Sequence, residues 1–154
     1  MTRMTPYRHT QIGWAILVPI LIVLVVSLGL MNSSTGSWPR HLMPVAGILS
    51  VVLILFATLT VKVTDGWLEC RFGVGLIWRR IRLAEVQRVE TVRNKWYYGW
   101  GIRLTPHGWL WNVAGLDAVE LTFTNGKKFR IGTDDSKGLL EAIRASQPPG
   151  NRPA

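Results

Sequence analysis

Two apolar runs decide the fold: Ile12–Met31 (IGWAILVPILIVLVVSLGLM) and Pro44–Val61 (PVAGILSVVLILFATLTV). Neither contains Lys, Arg, Asp, Glu or His, and they are 20 and 18 residues long. About 20 apolar residues in a helix reach across the ~30 Å hydrocarbon core of a bilayer. The Ser/Gly/Pro-rich connection Asn32–Met43 carries one charge, Arg40. The expectation is a transmembrane helical hairpin over 12–61. In lipid, Pro19 would kink the first helix rather than break it. Trp14 and Trp38 flank the first run as aromatic belt residues do; packing on the second helix is the alternative for Trp14. Ala46, Gly47 and Ser50 permit close helix approach, although small residues are common in membrane helices anyway.

The formal charge is +9 and unevenly spread: all nine acidic residues lie after Val61, and residues 1–61 carry only Arg3, Arg8 and Arg40. The polar arm 1–11 resembles the start of a signal peptide. The run behind it exceeds the usual 7–15 residues, however, and Asn32-Ser33-Ser34-Thr35 offers no small-x-small cleavage site. Positive charge before the first run and after the second predicts an uncleaved two-span protein of the inner (plasma) membrane, both termini cytoplasmic. Cys70 is the sole cysteine, so an internal disulfide and a Cys-x-x-Cys knuckle are both excluded. With His9, His41 and His107 scattered, no metal site or cofactor is expected.

From Leu59 the pattern alternates. Val61 and Val63 alternate with Thr60, Lys62 and Thr64, and Asp65-Gly66 is a strong two-residue hairpin signal. In Trp67–Phe72, Leu68, Cys70 and Phe72 share one face. Gly73-Val74-Gly75 turns the chain. Leu76–Leu83 and Ala84–Val92 follow, the latter with Val86, Val89 and Val92 inward. After the aromatic loop Arg93–Gly101 come Ile102–Thr105, Trp109–Val113, Asp117–Thr124, the Asn125-Gly126 turn and Lys127–Gly132. Thr133-Asp134-Asp135-Ser136 opens a helix with an apolar stripe of Leu139, Leu140 and Ile143. Residues 147–154, rich in proline, read as a disordered tail. The expected class is α+β: the hairpin, then a domain over 62–146 of seven or eight antiparallel strands in a barrel or sandwich, with one C-terminal capping helix.

The stretch from Trp100-Gly101-Ile102-Arg103 through Asn112-Val113 and Gly115 to Val119-Glu120-Leu121 resembles the bacterial pleckstrin-homology-like membrane proteins. Asn125-Gly126 and Arg130-Ile131-Gly132-Thr133-Asp134 fit the same pattern. The resemblance implies a pleckstrin-homology-like barrel with a capping helix and a membrane anchor, and no defined ligand. Eukaryotic pleckstrin-homology domains that bind phosphoinositides use basic residues around the loop between their first two strands. Here that loop is Thr64-Asp65-Gly66, short and acidic, so an inositol phosphate pocket is not expected.

Two groups are candidate binding residues. Arg79, Arg80, Arg82, Arg88, Arg93 and Lys95 form a basic cluster opposed only by Glu85 and Glu90. Near anionic headgroups each such cation adds ~1 kcal/mol; a solvated strand face is the plain alternative. Trp96, Tyr97, Tyr98 and Trp100, with Trp109 and Trp111 behind them, suit a lipid interface, a protein interface or core filling. No Ser/His/acid order is recognisable, and Gly99–Arg103 lacks the Gly-Lys-Ser/Thr of a phosphate loop. The sequence therefore points to a non-enzymatic binding or scaffold module, with anionic lipid and a protein partner rather than nucleic acid as ligands. A self-assembling scaffold, or an accessory subunit of a membrane complex, is the alternative.

Overall fold

The computed structural model describes residues 6–32 and 42–148. Strand β1 (Tyr7–Ile12) leads through Gly13 into helix α1 (Trp14–Asn32). Helix α2 (Leu42–Phe56) returns through Ala57 to β2 (Thr58–Thr64). Strands β3 (Trp67–Phe72) and β4 (Ile77–Arg82) complete an antiparallel sheet in the order β1-β2-β3-β4. The second sheet contains β5 (Val86–Arg93), β6 (Gly101–Thr105), β7 (Gly108–Asn112), β8 (Asp117–Phe123) and β9 (Lys128–Gly132). Its order is β5-β8-β9-β7-β6, with β7 and β9 parallel. Helix α3 (Ser136–Ser146) packs on β5, β8 and β2.

The alternation seen from Leu59 onward places one face of each sheet in a shared core. The first sheet gives Leu59, Val61, Val63, Leu68, Cys70, Phe72 and Ile81, and the second gives Val89, Trp111, Val119, Leu121, Phe129 and Ile131. Phe72 and Trp111 meet across the sheets with ring centroids 5.2 Å apart. Leu139 and Ile143 of α3 are fully buried against this core. Asp135 caps α3 by accepting from the Gly138 amide at 3.0 Å. Gln147, placed by sequence at the start of the tail, is buried and donates to the Val86 carbonyl at 2.9 Å. The rest of that tail from residue 149, the arm up to residue 5 and the connection 33–41 lie outside the described residues.

Several expectations are corrected. Among the described residues no helix is long and apolar enough to cross a membrane. The apolar runs are not wholly helical. Ile12 ends β1, and Thr58–Val61 belong to β2, where Leu59 and Val61 are core residues. This leaves α2 with 15 residues, a rise of roughly 22 Å against the ~30 Å that a span requires. The transmembrane hairpin is therefore overturned, and with it the two-span inner-membrane localisation with cytoplasmic termini. The all-antiparallel barrel or sandwich of seven or eight strands is replaced, among the described residues, by nine strands in two sheets, one of them mixed. The polar arm supplies the additional strand, β1.

The helix pair is rooted in the first sheet. Tyr7–Ile12 pairs in full with Thr58–Val63, and the Gly13 amide donates to the Ala57 carbonyl at 2.7 Å. The β3–β4 turn abuts the last turn of α2. Gly73, at φ 46°, donates to the Thr58 carbonyl at 2.8 Å, and a Cβ there would run into the Ile54 and Leu55 carbonyl oxygens. Gly75, at φ 91°, has open space around it. The helix glycines play no such part: nothing lies within 4 Å of a Cβ built on Gly47 or Gly29. Both turn glycines should resist substitution by ~1–2 kcal/mol for their positive φ alone. Equilibrium unfolding should show Gly73→Ala losing clearly more stability than Gly75→Ala; equal losses would mean that the turn does not press on α2.

Candidate functional site

The outward face of the first sheet is a basic surface built by strand register. Arg8, Lys62, Glu69 and Arg80 stand side by side across all four strands. One row nearer the helices are Thr10, Thr60, Arg71 and Trp78, and one row further away are Thr64, Trp67 and Arg82. Five cations thus surround one carboxylate. Glu69 bridges two of them, at 3.1 Å from Arg71 and 3.4 Å from Arg80. Arg80 and Arg82 both lie over the Trp67 ring, 4.1 and 5.1 Å from its centroid, an arrangement that holds guanidinium groups in place at a wet surface.

The six basic residues singled out from sequence do not form one patch. Arg80 and Arg82 are on this face. Arg79 points the other way, its guanidinium 4.5 Å from the centroid of the Phe129 ring. A charge turned inward on an edge strand discourages pairing with another sheet. Arg88 and Arg93 lie on β5 in the other sheet, Arg88 paired with Glu90 at 2.9 Å and Arg93 in register with Asp117. Lys95 sits 5.6 Å from the centroid of the Tyr97 ring. Sequence reading missed Lys62 and Arg71, although counting back from the Asp65-Gly66 hairpin places Lys62 opposite Glu69. It missed Arg8 because β1 carries no apolar alternation.

The aromatic loop begins at the helix end, where the Asn94 amide donates to the Leu116 carbonyl at 2.7 Å. It then folds back along the second sheet, and Tyr98 reaches His107 in the β6–β7 turn, ring centroids 6.4 Å apart. Trp96 and Tyr97 are left 77% and 58% exposed, with Trp100 at 39%. Tyr98 is only partly exposed. Trp111 is core and Trp109 is an exposed rim residue.

Beneath this loop is a buried charge network that the sequence reading did not select. Glu120 is 1% exposed and accepts from Lys128 Nζ at 2.6 Å and from Arg130 Nε at 2.5 Å. Arg130 Nη1 donates to Asn94 Oδ1 at 3.3 Å, tying the loop to the sheet. Burial works to raise the Glu120 carboxyl, and the bonds from Lys128 and Arg130 outweigh it and hold the group below its ordinary range. Every partner is internal, so the network is structural. Cys70 is fully buried, and burial pushes its thiol up to about 12, which makes it unreactive. Among the described residues no cluster of His, Cys, Asp and Glu could hold a metal ion.

The third surface is apolar. Much of α1 and α2 is exposed, including Ile22, Val25, Leu28, Ile48 and Ile54, each above half exposed. Trp14 at the start of α1 is exposed too, and so, beyond the helices, are Ile12, Val74, Leu76 and Trp78. Monomeric soluble domains rarely leave so large a contiguous apolar patch bare. No protein-family description matches this chain, and no curated protein matches it.

Acid titration tests the buried Glu120 network of the second sheet. Because the folded carboxyl titrates below its unfolded value of ~4.3, its stabilisation is complete above that pH and lost as pH falls through the folded pKa. Glu120→Ala should cost ~3–5 kcal/mol in chemical unfolding at neutral pH by stranding Arg130. It should also flatten the acid limb of the stability profile. A variant as stable as wild type would show the pair to be dispensable.

Proposed function

We propose that this protein is a non-enzymatic docking module whose apolar helix pair embeds in lipid and whose sheet body contacts anionic headgroups and a protein partner. The observation that carries this reading is the exposed, charge-free surface of α1 and α2, continuous with Ile12 and Trp14 at their base. An apolar lipid layer satisfies such a surface without any further protein element. The Arg8–Lys62–Arg80 face supports the preference for anionic lipid, with Arg71 and Trp78 in the row nearest the helices. Trp96, Tyr97 and Trp100, turned away along the second sheet, are the residues for a protein partner, since exposed Trp and Tyr dominate such contacts.

Kinship with the bacterial pleckstrin-homology-like proteins belongs to the same proposal. It rests on the Trp100–Leu121 signature, and the parallel β7–β9 pairing departs from an all-antiparallel barrel.

Flotation of the full chain with vesicles tests the function. It should float with neutral vesicles and more strongly with anionic ones, the increment falling as salt rises. Reversing Arg71, Arg80 and Arg82 to Glu should remove most of that increment, at roughly fivefold in partition per cation. A monodisperse chain that ignores every vesicle would overturn the lipid reading.

A further inference from the structure

We infer that the β3–β4 turn, Gly73–Leu76, is a second lipid-inserted element, so that the sheet body is itself partly immersed beside the helices. This rests on the lipid reading above and goes beyond it, because an anchor of helices alone would leave the sheets in water.

The short turns of the two sheets differ by end; the longer aromatic loop, which starts at the helix end with Asn94 and Lys95, is the exception and folds away along the second sheet. At the end away from the helices the short turns are polar: Asp65-Gly66, Asn125-Gly126 and Pro106-His107-Gly108. These are the residues that a water-facing turn selects. At the helix end, the β3–β4 turn is Gly73-Val74-Gly75-Leu76, and the β7–β8 connection is Val113-Ala114-Gly115-Leu116. Neither holds a charged or polar side chain. Val74 is 68% exposed and Leu76 75% exposed, so they do not serve the core. Contact between Gly73 and the Ile54 and Leu55 carbonyls fixes this turn beside the end of α2. Whatever covers the helices there meets Val74 and Leu76 as well.

Strand spacing sets the depth. Trp78, Arg80 and Arg82 follow one another on the outward face of β4, at ~6.8 Å per step of two residues. Trp78, 58% exposed and level with Arg71, has the amphipathic character of an interfacial residue. Arg80, level with Lys62 and Arg8, stands beyond it. The sequence from apolar turn through tryptophan to arginine matches the polarity gradient of a bilayer surface, and the occupant that fits it is lipid.

Nitroxide labels on full-length protein bound to vesicles test this. Single cysteines would replace Leu76, Trp78, Arg80, Arg82 and, as a far-end control, Asn125; buried Cys70 stays unlabelled. Preference for oxygen over a water-soluble nickel complex should fall steadily from 76 to 82, with 125 fully aqueous. Leu76→Asp should weaken vesicle partition about tenfold, losing the burial of one large apolar side chain, with the fold unchanged by circular dichroism. A label at 76 as aqueous as that at 125, on protein that still floats, would overturn the inference and leave the lipid reading standing. A label at 76 closed to both reagents and broadened by a neighbouring spin would overturn it in favour of a second copy of the chain. A chain that never floats would overturn both.

Discussion

The structure depends on one ladder, the pairing of Tyr7–Ile12 with Thr58–Val63. It joins segments about 50 residues apart, and α1 and α2 between them are an excursion from one end of the first sheet. Closing so long a loop costs chain entropy, offset by six paired positions and by the Gly13–Ala57 hydrogen bond. Because β1 runs directly into α1 and α2 directly into β2, the helices continue the two strands. Their apolar surface is thereby held in a fixed relation to the sheets. Without the ladder, α1 would be joined to the body only through its packing on α2.

That relation gives the molecule two unlike ends. Apolar helices, Trp14 and the Val74–Leu76 turn share one end, while polar turns and the C-terminal part of α3 lie toward the other. Between them runs the basic face of the first sheet, where Glu69 spaces Arg71 and Arg80, and Trp67 supports Arg80 and Arg82. The second sheet faces outward quite differently. Its buried charges, Glu120 and Arg130, hold each other and Asn94 beneath the aromatic loop, while Arg88 and Arg93 of β5 stay at the surface. The first sheet thus gathers its charge into one exposed face, while the second buries a charge pair that holds a loop bearing exposed tryptophans.

Much of the sheet body was legible in the sequence. Asp65-Gly66 has positive φ at both residues, as a two-residue hairpin demands, and the strands around it fall where alternation placed them. Asn125-Gly126 was legible only in part. Phe123 pairs across to Lys127 with Gly126 alone at positive φ, a three-residue loop. A two-residue reading would shift the register by one and set Glu120 opposite Ile131, hiding its partner Arg130. Strand β1 was illegible for a different reason. Its inward residues are Tyr7, His9 and Gln11, which hydrogen-bond through Tyr7 Oη to Asp135, His9 Nε2 to Asp134 and Gln11 Nε2 to the Gly132 carbonyl. No apolar period marks a strand whose core face is polar and paired. The helices were overread because a charge-free run does not show where helix gives way to strand: Thr58–Val61 is as apolar as a helix end and folds as β2.

Hydrogen exchange along residues 7–13 tests the central claim most directly. The account predicts that the Gly13 amide and the inward-bonded amides of β1 exchange as slowly as those of β2 and β3, opening only with the sheet. Exchange of 7–13 at the rate of an unstructured arm, while β2 and β3 stay protected, would contradict it and would uncouple the helix pair from the body.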